Sequence, residues 1–174
     1  SKIDIESNYM GQNKLYGDMD IKFPNHFGVF KKVRKTQSKP KIDILADIDG
    51  KEVKFKIKIG SEMHSEATAG ALLSALGFHT DITKYQKDFK MLLPDGLTLR
   101  ELKREWYSYF SGWDFDKYIS EHGIGLDGNE YVVFREVLIE TKPKDIVRVG
   151  PWAYGSNGHR SLREVRGLFL FNVW

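Results

Sequence analysis

Two alternating runs around an Asp-Gly pair, a helix rich in small residues behind them and a late β-branched run predict an α+β domain. The expected architecture is a twisted antiparallel sheet of about five strands with one packed helix and an inserted helical pair. A length of 174 residues suits one domain with room for an insertion. Apolar residues at 41% and charged residues at 29% are the ordinary mixture of a globular protein.

The first 28 positions are rich in Gly, Asn, Asp and Pro and lack periodicity, so they read as an extended arm with a turn near Pro24-Asn25. A strand is expected over 29–34, then the polar turn TQSKP. In KIDILADIDGKEVKFKIKIG, the residues Ile42 and Ile44, then Val53, Phe55, Ile57 and Ile59, alternate with polar side chains on either side of Asp49-Gly50. Glycine tolerates the positive φ of a tight turn, so this segment is a two-stranded hairpin. A helix follows over 62–76, capped by Ser61 or Ser65 and ended by Gly77. Ala67, Ala69, Gly70, Ala71 and Ala75 would let it lie close against a sheet. The hairpin, this helix and a strand over 88–93, stopped by Pro94-Asp95-Gly96, make up a unit over 29–96.

Over 97–123 the pattern turns helical. Thr98 and Glu101 have capping-box spacing, and Leu99, Leu102, Trp106 and Phe110 recur at helical intervals. Ser111-Gly112 breaks that helix, and a second is expected over 114–122. Within 124–150 lies the β-branched run YVVFREVLIE, a strand over 131–139 and the exit from it. A last helix is expected within 151–174, opened by a second capping box at Ser161 and Glu164 and carrying Leu162, Val165, Leu168, Phe169 and Val173 on one face. It has no C-terminal stop signal, so the natural protein is expected to continue past Trp174 and this chain to be a fragment of it.

Several function classes are excluded or weakened. There is no cysteine, hence no disulfide framework and no thiolate metal site. No apolar run is long enough for a membrane-spanning helix, and the first residues lack the basic and apolar regions of an uncleaved signal peptide, while a removed one would leave no trace. Compartment is left open. A net charge of +3 does not imply nucleic acid. Lys31, Lys32, Arg34, Lys35, Lys39 and Lys41 crowd together, a cluster that could meet phosphate or could simply guard an edge strand. The five histidines lack ligand spacing, and no Walker loop, G-x-G-x-x-G, G-x-S-x-G or H-E-x-x-H occurs. The acidic pairs Asp114/Asp116 and Glu136/Glu140 have no partner motif.

One constellation carries chemistry. The hairpin arm FKIKIG leads at once into a helix bearing Glu62 and Glu66. A lysine fixed on a strand and held by a helix glutamate is how kinase-type enzymes present positive charge to phosphate oxygens. Lys58 is placed for that role, although Lys54 and Lys56 share its face, as on an ordinary solvent-facing strand.

The segments SKPKIDILADIDGKEVKFKIKIGSEMHSEATAGALLSALGFHTD, FREVLIETKP and REVRGLFLFNVW closely resemble a family of bacterial proteins of uncharacterised activity with kinase-like organisation. More distantly, they are similar to HipA-type and phosphoinositide-kinase-like folds. The likeness spans residues 14–174. It implies a protein-kinase-like amino-terminal lobe cut off before the catalytic segment. Lys58 would be the phosphate-contacting lysine and Glu66 its tether, with Glu62 the alternative. Phe134, Arg135, Glu136 and Val137 would form a hinge strand whose backbone meets an adenine ring. The resemblance implies ATP and magnesium as cofactors of a complete protein, and no catalytic residue or metal ligand within this fragment. The alternative is a non-catalytic binding module of kinase-like shape, meeting a protein partner through Trp106, Tyr107, Tyr109, Trp113 and Tyr118 of the insertion. A third, weaker possibility is nucleic acid held by the basic hairpin.

Overall fold

The hairpin centred on Asp49-Gly50 sets the register of everything built on it. The computed structural model describes residues 22–35, 39–75 and 81–141. The chain divides into two units after residue 142, and every described residue belongs to the first. The expected last helix and most of the expected arm lie outside the described residues.

The hairpin is formed by β2 (Lys41–Ile48) and β3 (Lys51–Lys58), paired from Ile48↔Lys51 to Lys41↔Lys58. Asp49 and Gly50 both have positive φ, 55° and 76°, the geometry of a type I′ turn whose twist matches that of the strands. The Gly50 amide donates to the Asp47 carboxylate at 2.9 Å and pins the turn. β1 (Phe27–Val33) pairs antiparallel with β2 and parallel with β4 (Ile82–Leu92). β4 runs antiparallel along β6 (Glu130–Thr141). α1 (Met63–Ala75) connects β3 to β4, and α2 (Leu99–Tyr109), one 3₁₀ turn (Phe115–Tyr118) and β5 (Ile119–Ile124) lie between β4 and β6.

The expected open, kinase-like sheet does not form. β3 pairs with β6 through Ile57↔Ile139 and Lys58↔Leu138, so β3-β2-β1-β4-β6 closes on itself as a five-stranded barrel. The physical reason is the length of β6. At 12 residues it carries β5 on 130–134 and still has 138–140 left on the same edge for β3. Closure encloses Ile57 and Ile139, each 0% exposed, and full burial of such a side chain is worth about 1.5–3 kcal/mol.

The interior is filled by Phe30, Ile42, Ile44, Phe55, Ile57, Phe89, Met91, Val132, Phe134, Val137 and Ile139. Along β6 the core residues step from Val132 and Phe134 to Val137 and Ile139, so the pleat changes phase between 134 and 137. β4 changes phase opposite it, at Asp88, whose φ is 50°. That shift places Gln86, paired with Val137, among the buried residues.

The expected helical pair is also corrected. Its first member is α2, opened by the Thr98/Glu101 capping box. The second is only the 3₁₀ turn, capped by Asp114, after which ISEHGI becomes β5 and pairs with β6. Leu102, Trp106, Phe110 and Phe115 of this insertion belong to the barrel's core. The Trp106 indole stacks edge-on against Phe110 and Phe115, and its Nε1 donates to the Trp113 carbonyl at 2.8 Å. Among the described residues no helix is long and apolar enough to cross a membrane.

Candidate functional site

Strand alternation decides which charges can meet. Phe55, Ile57 and Ile59 point inward and are buried, so Lys54, Lys56 and Lys58 line the outer face of β3. Each finds a carboxylate. Lys54 Nζ lies 2.9 Å from Asp43 Oδ2. Lys56 and Lys58 flank Glu140 at 3.7 Å and 3.3 Å. Glu140 is 2% exposed, so these two lysines offset the desolvation of its charge.

Lys58 is also ion-paired with Glu66. Gly60 makes this possible. Its φ of 139° is open to glycine, and it turns the chain from β3 into α1 so that the helix folds back beside the strand. A Cβ there would lie 2.8 Å from the Trp113 ring. Within α1 the Ser65 hydroxyl donates to the Glu62 carbonyl at 2.9 Å, so Ser65 sits inside the first turn rather than capping it. Glu62, the alternative tether, pairs instead with Lys39.

These groups surround a cavity of about 140 Å³, lined by Lys39, Lys41, Lys58, Glu62, Glu66 and Trp113 among others. Lys41 faces Lys58 across the β2–β3 ladder. It makes no ion pair among the described residues. Burial lowers its pKa from the usual lysine value, and the neighbouring Lys58 ammonium lowers it further; Glu140 and Glu66 act in the opposite direction. Among the described residues, the cavity therefore contains two neutralised lysines and one cation without a partner.

The expected hinge residues lie away from this cavity. Phe134 and Val137 are fully inaccessible core residues, and Arg135 is exposed. Glu136 accepts a hydrogen bond from the Tyr85 hydroxyl at 2.7 Å, and His64 Nε2 lies 3.1 Å from the same oxygen. The bond to Glu136 pushes the Tyr85 phenol up to about 12. On the edge of β6 shared by β3 and β5, residues 135–137 pair with neither strand.

Sequence reasoning did not single out Lys41 or Gly60 as site residues and treated Trp113 only as a partner-facing aromatic. Lys41 was within reach: a two-residue turn at Asp49-Gly50 places position 41 opposite 58 by register alone. Nothing local announces Trp113, which arrives from the insertion. Among the described residues no group of three or more His, Asp or Glu is arranged to hold a metal. Comparison of the chain with protein-family models, curated proteins and solved structures finds no match.

Proposed function

We propose that this domain is a nucleotide-binding module which seats a terminal phosphate of ATP, arriving with its magnesium, against Lys41 and Lys58. The observation that carries this is the Lys41–Lys58 pair. One lysine is fixed on a strand by two carboxylates, and the other lies opposite it with no counter-ion among the described residues. An incoming phosphate would supply the missing charge to Lys41 in a partly dehydrated setting, where ion pairing is stronger than in bulk water.

Cavity size supports the same reading. Pockets that enclose drug-sized ligands run to roughly 300–1,000 Å³, so about 140 Å³ accommodates a phosphate group rather than a whole nucleotide. The base and sugar would rest outside this cavity. Binding through the insertion's aromatics is less favoured, because Trp106 is fully buried and Tyr109, Trp113 and Tyr118 pack against the core. Tyr107 alone of the five is exposed.

ATP-magnesium at a concentration about 100 times its dissociation constant should stabilise the domain by about 2.7 kcal/mol. For a chain of this size that is a rise in melting temperature of several degrees. Lys58→Ala should abolish the rise. A melting temperature that ignores millimolar ATP-magnesium would overturn the proposal.

A further inference from the structure

We propose that Lys41 is a nucleophilic amine and that its cavity is a site of imine formation with small oxo-carboxylates, compounds carrying an aldehyde or ketone beside a carboxylate. This chemistry uses the same cavity as the nucleotide reading but does not depend on it.

The geometry singles out Lys41 among the lysines that line the cavity. Lys39, Lys54, Lys56 and Lys58 each sit against a carboxylate, which occupies the amine. Lys41 has no such partner among the described residues, and it is half-buried and lines a half-open cavity. The charges facing it from neighbouring elements are Lys58 and Lys56 on β3, Glu140 on β6 and Glu66 on α1. Lys39 and Glu62 line the same cavity. A lysine beside another cation and partly withdrawn from water is the arrangement that activates an amine toward carbonyls.

The remaining parts of the reaction are also present. Lys58, directly across the ladder, is a cation able to receive the substrate's carboxylate and orient its carbonyl toward Lys41. The Lys41 nitrogen lone pair adds to the carbonyl carbon, forming the C–N bond and a carbinolamine. Glu66 lines the same cavity and, displaced from Lys58 by the incoming carboxylate, would move protons between the nitrogen and the departing hydroxyl. Water leaves and a carbon–nitrogen double bond remains, so one carbonyl and one amine give one imine and one water. The volume of about 140 Å³ suits a reacting group of a few heavy atoms.

The test is reductive trapping on the whole chain. Glyoxylate with cyanoborohydride near neutral pH converts a reacting lysine into a carboxymethyl derivative that peptide mass spectrometry locates. Lys41 should be modified about tenfold faster than the exposed Lys31 and Lys32. Its lead should be smaller with acetaldehyde, which lacks a carboxylate for Lys58. Lys58→Met should remove the glyoxylate advantage while the protein still melts cooperatively. Equal labelling of Lys41, Lys31 and Lys32 by both aldehydes would overturn the proposal. Selective labelling of Lys41 in a preparation whose melting temperature ignores ATP-magnesium would uphold it and dispose of the nucleotide reading alone.

Discussion

At the level of single side chains, Asp43 shows how the outer face of the barrel is held together. It is 0% exposed, yet it lies on the solvent-side face of β2, because Arg34 and Lys54 close over it from β1's end and from β3. Burial by itself would raise its pKa, but hydrogen bonds from Arg34 and Lys54 outweigh that and hold the carboxyl below the ordinary carboxylate range. A folded pKa below the unfolded one means the clamp stabilises fully above about pH 4, and the stabilisation is lost as pH falls through the folded value. Asp43→Asn should cost about 2 kcal/mol near neutrality. That is less than for a wholly buried pair, since Arg34 and Lys54 remain 31% and 42% exposed. Denaturant midpoints of the two proteins should converge in acid, and a gap independent of pH would refute the assignment. The clamp was not legible in KIDIL, where an aspartate between two isoleucines reads as a solvent-facing position. The alternation gives its face, but only the neighbouring strands reveal that the face is covered.

Among the elements, the hairpin and α2 were the easiest to foresee, because each combines a hydrophobic period with its own punctuation. The Asp49-Gly50 turn sets one register, and Thr98 with Glu101 sets the start of the other. β4 was legible only in its second half. Its first residues, ITKYQK, carry two lysines and a glutamine, and the change of pleat at Asp88 separates them from the apolar FKML beyond it. The same change turns Gln86 toward the core, where its Oε1 accepts no hydrogen bond from the described residues. A buried acceptor without a donor costs about 1–3 kcal/mol, and an apolar side chain of similar shape removes that cost. Gln86→Met should accordingly raise stability by about 1 kcal/mol, measured as a shift of the urea midpoint at unchanged slope. A loss of stability would mean that the carboxamide does useful hydrogen bonding inside the barrel. The stretch after Asp114 was misread as a helix for a related reason. Its cap is real but starts one turn only, and pairing with β6 then draws residues 119–124 into a strand.

At the scale of the molecule, closure of the sheet is the feature that sequence patterns could not show. Ile57 and Ile139 are far apart along the chain, and their pairing leaves no mark in either local segment. Lys58 and Glu66, eight residues apart, were within reach because one glycine turn connects them. Closure makes a kinetic prediction. Backbone amides of β3 that bond to β6 should exchange with solvent as slowly as those in the middle of β2, whereas an open sheet would leave that edge of β3 quick to exchange. Rapid exchange at residues 56–58 would contradict the barrel. Because the ring has no ends, β5 is the one terminal strand among those described. It is six residues long, with three exposed polar side chains, Ser120, Glu121 and His122, in succession. A foreign strand seeking to extend the sheet would find only that short, polar margin, so the fold carries its own protection against self-templated growth.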